Sequence, residues 1–173
     1  MSLLSRDDVV RLLREVSAEL ERDGVRGRLF VVGGAAMALA YGRDRLTRDV
    51  ELVFEPKALV YEAARRVGAS NGLSDGWLND AVKGWLPGDD PDATTFLDEP
   101  GLSVQVASPR YLFVLKALAA RVERDAGDLI ALYPLCGFAT VDEALDAIDR
   151  AVPPQLIPPK TRFLLQELLR TGR

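Results

Sequence analysis

Residues 28–32 (RLFVV) run straight into Gly33-Gly34, and the alanine-rich stretch 35–41 (AAMALAY) follows at once. The first run reads as a short buried strand and the second as a helix. Two glycines between them leave no room for a loop, so the chain must reverse in a tight strand-to-helix turn. A helix starting directly on such a turn exposes its first N–H groups and the positive end of its dipole, which suits a phosphate. The same two glycines also serve a plain packing turn, and both readings stand at this point.

The remaining pattern places strands among helices early and helices alone late. Residues 5–22 carry Val9, Val10, Leu12, Leu13, Val16 and Leu20 at helical spacing behind Ser5, a fitting N-cap with acids in the first turn. Gly24 and Gly27 end that helix. Residues 43–48 (RDRLTR) read as a polar loop, 49–54 (DVELVF) as a second strand, and 57–68 as a helix opened by Pro56. Residues 69–93 hold four glycines, two prolines, Trp77 and Trp85, and read as irregular. Strands are expected at 94–97 and 102–107, with a turn at Glu99-Pro100-Gly101. A long helix is expected from Pro109 to about Arg124. A second helix or kinked extension follows over 125–135, with Gly127 as its weak point. Further helices are expected at 141–152 and 160–170, joined by a stiff connector with prolines at 153, 154, 158 and 159. The fold class this order predicts is α+β: a small mixed β-sheet core flanked by helices, with a C-terminal helical bundle. The expected division is a core over 1–107, including the N-terminal helix, and a helical region over 108–173 packed on it. No apolar run reaches spanning length and the N-terminus reads as a helix, not a signal peptide. A cytoplasmic protein without membrane partners is the expectation.

The chain has no histidine and one cysteine. That removes Ser-His-Asp and Cys-His catalysis, imidazole acid–base work and His-ligated or cysteine-rich metal sites. Catalysis would rest on carboxylates, Lys, Arg, hydroxyls, backbone groups or an oxygen-ligated metal. Net charge is −4, so this is no wholesale basic nucleic-acid binder. Of 22 basic residues 18 are Arg, the side chain that best matches phosphate geometry.

Five groups could carry chemistry besides the packing they would otherwise serve. Asp49 and Glu51 are two apart on a strand, so both face one way while Val50 and Leu52 face the core. Such a pair repels unless a cation neutralises it, which suits Mg²⁺ (or Mn²⁺) on a nucleoside triphosphate; a solvated strand face is the other reading. Lys116 is the only charge in 111–120 (YLFVLKALAA), so it either snorkels to the surface or meets a buried anion. Arg121, Asp125 and Asp128 fall on one stripe of a continuing helix and read first as a local ion pair. Trp77 either stacks on a base, with Asn79 and Lys83 contacting a nucleotide, or anchors a loop. The Gly33-Gly34 turn is the fifth.

Taken in order, these pieces resemble the nucleotidyltransferase superfamily with a DNA polymerase β-type core. Its pattern is a Gly-Gly or Gly-Ser turn, a short helix, then Asp-x-Asp/Glu on the next strand. Here Asp49 follows Gly34 by fifteen residues. The finer resemblance is to AbiEii-like (MenT-like) nucleotidyltransferases, through Arg45-x-Thr47-x-Asp49-x-Glu51, Lys116 on an apolar helix, Arg121, Asp125 and Asp128, and the Trp77-Leu78-Asn79-Asp80 string. The resemblance covers roughly residues 28–130.

It implies that Asp49 and Glu51 hold the metal and that Gly33 and Gly34 cradle phosphates. Arg45, Thr47, Asn79, Lys83, Arg121 and Asp128 would serve nucleotide binding, and Lys116 would meet the triphosphate as pyrophosphate leaves. It implies a toxin of a toxin–antitoxin pair adding a nucleotide to the 3′ end of tRNA, with a cognate antitoxin as partner. Residues 108–124 and 160–173, each with four bases and one acid, would face the RNA backbone. The strand that carries a third carboxylate in many superfamily members has Ser103 and Gln105 here, which leaves the general base unassigned. The alternatives are a protein-nucleotidylating transferase of the antitoxin type and a non-catalytic nucleotide- or partner-binding module.

Overall fold

Ser5 starts the first helix with a reciprocal cap. Its hydroxyl accepts from the Asp8 N–H at 3.2 Å, and the Asp8 carboxylate accepts from the Ser5 N–H at 2.9 Å. Helix α1 (Arg6–Arg22) then buries Val9, Leu12, Leu13, Val16 and Leu20 along one stripe. A computed structural model of the chain describes residues 3–41, 49–80, 86–119 and 122–171, without the side chains of 122–124, 164 and 171. After α1 come β1 (Gly27–Val31), α2 (Gly33–Ala40), β2 (Val50–Glu55), α3 (Lys57–Ser70), β3 (Leu78–Asn79), β4 (Thr94–Glu99) and β5 (Leu102–Val106). Then follow α4 (Pro109–Ala119), α5 (Val122–Leu132), α6 (Val141–Ala151) and α7 (Pro159–Thr171), with short 3-10 turns before α6 and α7. The protein is α+β, as the patterning predicts. Among the described residues no helix is long and apolar enough to cross a membrane.

The chain divides into two compact units, Met1–Gly84 with Asp92–Ala107, and Trp85–Pro91 with Ser108–Arg173. The first holds a five-stranded mixed sheet in the order β3-β2-β1-β5-β4. β1 runs antiparallel to β2, with Val31 opposite Leu52, and parallel to β5, with Val31 opposite Val106. β4 pairs antiparallel to β5, with a bulge between Thr95 and Leu97. Alternation is strict where it matters. Leu29, Val31, Val50, Leu52, Val104 and Val106 are buried on the side of α1 and α3, while Arg28, Glu51, Glu55, Ser103 and Gln105 take the other side.

Helices α1 and α3 are tied by charge as well as by packing. The Arg66 guanidinium reaches Glu19 (2.7 Å), Asp23 (2.5 Å) and Glu62 (3.1 Å). Gly27 and Gly101 lie where these layers meet. An added Cβ at Gly27 would press on Leu20, Leu102 and Val60, and one at Gly101 would collide with the α1 backbone at Ser17.

The second unit is helical. Ser108 caps α4, its hydroxyl accepting from the Tyr111 N–H at 3.3 Å, and Asp90 holds Ser108 by accepting from its N–H at 2.7 Å and its hydroxyl at 2.9 Å. Phe113, Leu129, Leu132, Ala144, Leu145, Ile148, Leu165 and Leu169 fill its interior. The described helices here are α4, to Ala119, and α5, from Val122, with Gly127 inside α5 and not at a break. Lys116 on α4 reaches across to α5. Its ammonium contacts Asp125, nine residues on, and nine residues of one straight helix span about 13 Å. The two therefore do not lie on one straight helix.

Candidate active site

Strand β2 delivers the two carboxylates as its alternation requires. Val50 and Leu52 are fully buried, and the flanking Asp49 and Glu51 are half-exposed on the opposite side. The antiparallel pairing of β1 and β2 brings Glu51 to the end of β1, where the Val32 N–H donates to the Glu51 carbonyl at 3.2 Å. The next residue is Gly33, in the left-handed region at φ 63°. A Cβ there would overlap a Glu51 carboxylate oxygen. Glycine is therefore needed twice at position 33, for its backbone angle and for the space the carboxylate occupies. Gly34 has open space where a Cβ would go. No side chain caps α2 at Val32, so its first N–H groups lie beside Glu51 without an intrahelical acceptor.

Asp49 is met from the other side. β3 pairs parallel to β2, with Asn79 opposite Glu51, and the Asn79 Nδ2 donates to Asp49 Oδ2 at 3.0 Å. The first unit thus brings together Gly33, Gly34, Asp49, Glu51 and Asn79 from two turns and two strands. Asn79 belongs to a strand in a stretch whose composition reads as irregular. Trp77 is an anchor: it is 1% exposed, and its Nε1 donates to the Ala64 carbonyl at 2.9 Å.

In the second unit Lys116 is buried and meets carboxylates of its own chain, Asp125 Oδ1 at 3.1 Å and Asp128 Oδ2 at 2.8 Å. Asp128 is 1% exposed. Arg45, Thr47, Lys83 and Arg121 lie outside the described residues.

Sequence reasoning names Asp80 only within the string 77–80 and passes over its partners, Lys57 and Tyr61. Tyr61 donates its hydroxyl to Asp80 Oδ1 at 2.6 Å, and Lys57 Nζ lies 2.5 Å from Asp80 Oδ2. Lys57 holds the Asp80 carboxyl below the ordinary aspartate range, Tyr61 adds to that, and the pairing in turn raises Lys57 and Tyr61. The legible signal was the i, i+4 spacing of Lys57 and Tyr61 on α3.

Among the described residues no cluster of three or more His, Cys, Asp or Glu side chains could hold a metal. Asp49 and Glu51 offer hard carboxylate oxygens only, on one strand face, with Gly33 leaving room at Glu51. That donor set fits Mg²⁺, which is commonly held by one or two carboxylates together with substrate phosphates. No protein-family model matches the chain, and no curated protein or solved structure matches it either.

Proposed function

We propose that the chain is a Mg²⁺-dependent nucleotidyltransferase. It would move a nucleoside monophosphate from a nucleoside triphosphate to an acceptor hydroxyl, with the 3′ end of tRNA as acceptor, as the toxin of a toxin–antitoxin pair. One observation carries the reading. The Glu51 carboxylate occupies the space above Gly33 at a helix N-terminus, and Asp49 lies just before the strand that carries Glu51.

Asp49 and Glu51 would hold Mg²⁺ (or Mn²⁺), which when bound neutralises charge on the triphosphate. The N–H groups at the start of α2 present donors and a positive dipole end to the phosphates. Asn79 orients the Asp49 carboxylate through its 3.0 Å hydrogen bond. The acceptor hydroxyl forms a bond to the α-phosphorus as the bond to pyrophosphate breaks, and the hydroxyl proton leaves to solvent. Transfer of this kind needs mainly positioning and charge neutralisation, which a site without histidine can supply.

A binding module without turnover is the second reading. It is favoured by the polar positions of β5, which are Ser103 and Gln105 and offer no acid.

The test is incubation of the purified protein with Mg²⁺, each labelled nucleoside triphosphate in turn, and total RNA, with Asp49→Ala in parallel. Label in RNA that depends on Asp49 supports the transferase and names the nucleotide. Label in protein alone points to the antitoxin-type activity. No label from a folded protein overturns the catalytic reading.

A further inference from the structure

A two-residue strand is a weak holder for a catalytic contact, yet β3 supplies the amide that orients Asp49. Its own ladder spans only Val50 with Leu78 and Glu51 with Asn79, extended by the Val50 N–H bond to the Trp77 carbonyl at 2.7 Å. The grip comes from the segment's two ends. At one end Trp77 donates to the Ala64 carbonyl, and its ring fills the space beside Gly68, where an added Cβ would come within 2.9 Å. At the other, each carboxylate oxygen of Asp80 has its own partner, the Tyr61 hydroxyl and the Lys57 ammonium. Lys57, Tyr61, Ala64 and Gly68 stand at i, i+4, i+7 and i+11, which is one face of α3. The segment 77–80 is laid along that single stripe.

The free choice left to Asn79 is therefore small. Its Nδ2 has two acceptors, Asp49 Oδ2 at 3.0 Å and the Gly76 carbonyl at 3.3 Å. Two acceptors for two amide hydrogens determine which way the amide faces. Leu78, its neighbour, is fully buried. The Tyr61 ring also meets Phe54 of β2 edge-on at 4.8 Å, and the Lys57 ammonium lies 5.7 Å from the Tyr61 ring centre. The contacts thus close on the strand that bears the carboxylates: Phe54, Tyr61, Asp80, Asn79, Asp49.

We infer that Asp80, held by Lys57 and Tyr61, is a positioning residue that sets the Asn79 amide and through it the Asp49 carboxylate. What the aligned carboxylate is for rests on the nucleotidyltransferase reading; the alignment itself does not. Outer contacts of this kind change metal affinity about 10–100-fold when removed.

The test uses the full chain with Asp80→Asn, Tyr61→Phe and Lys57→Met, and with Asp49→Ala as reference. Three quantities are measured: the Asn79 side-chain amide resonances, the melting temperature, and Mn²⁺ affinity from the free-ion electron spin resonance signal. Tyr61→Phe removes one hydroxyl and Lys57 is half-exposed, so these two variants stay folded if Asp80→Asn does not. The expected result is a displaced Asn79 amide signal and Mn²⁺ affinity about 10-fold weaker in Asp80→Asn and Tyr61→Phe. The melting temperatures of Tyr61→Phe and Lys57→Met should stay close to wild type. Unchanged Asn79 signals in the folded variants would overturn the inference. So would Mn²⁺ affinity that falls only in step with melting temperature. Wild-type protein that takes up no Mn²⁺, while the Asn79 signals still answer to Asp80, would overturn the nucleotidyltransferase reading and support the positioning role.

Discussion

Alanine at position 33 and alanine at position 34 should have opposite effects. Gly33 has φ 63°, and a left-handed backbone angle costs an alanine roughly 1–2 kcal/mol. For a chain of this size each kcal/mol lowers the melting temperature by about 2–4 °C, so Gly33→Ala should melt about 2–8 °C lower. The new methyl would also overlap the Glu51 carboxylate. That group is the end of a flexible side chain, so it moves aside at little cost in stability. The cost falls on function instead, because a displacement of roughly 1 Å in a positioned group lowers rate by about 10²-fold. Gly34 has nothing within 4 Å of an added Cβ and lies in the first turn of α2. Alanine there gains up to about 1 kcal/mol of helix propensity, so Gly34→Ala should melt at or above wild type. Thermal unfolding and nucleotide transfer, measured on both variants, check the pair. A Gly33→Ala protein as stable as wild type, or a Gly34→Ala protein that loses as much, would refute this account of the turn.

Three further outcomes follow from the structure. Lys116→Met should cost about 3–5 kcal/mol in denaturant unfolding, because it removes the ammonium that two buried carboxylates contact; a loss below about 1 kcal/mol would refute the importance of these contacts. The stabilisation by Asp80 should depend on acid. Its folded pKa is lowered by Lys57 and then Tyr61, so the contribution is full above the unfolded value of about 3.9 and is lost as pH falls through the folded value. The stability gap between wild type and Asp80→Asn should thus be level near neutrality and close below about pH 4. Cys136 is buried, and burial pushes its thiol up to about 12, so a disulfide reagent at pH 8 should label it only as the protein unfolds.

Legibility differed by the range of the interaction. The cap at Ser5, the buried stripe of α1 and the one-sided placement of Asp49 and Glu51 follow from periodicity, which acts within a few residues. Gly33 was legible as a turn, but its service to Glu51 was not, since that contact crosses between two strands. β3 was missed because two residues between glycine-rich stretches show no period; pairing with β2 makes it a strand. Lys116 on an apolar helix was legible as a charge needing an anion or a route to solvent. Its partners, Asp125 and Asp128, were expected on a stripe with Arg121; their contact with Lys116, nine and twelve residues earlier, leaves no period in the sequence. Asp80 was legible only as the last member of the Trp77-Leu78-Asn79-Asp80 string, because its partners lie on α3, some twenty residues earlier.

The bulge in β4 bears on self-association. β4 ends the sheet order, and an edge strand is where a second copy would add itself by hydrogen bonding. The bulge between Thr95 and Leu97 shifts the spacing of that edge, and Asp98 and Glu99 just beyond it are engaged by Arg26 and Arg14. A copy laid alongside would meet an uneven hydrogen-bond spacing across the bulge. The bulge therefore works against growth of the sheet from chain to chain at this edge.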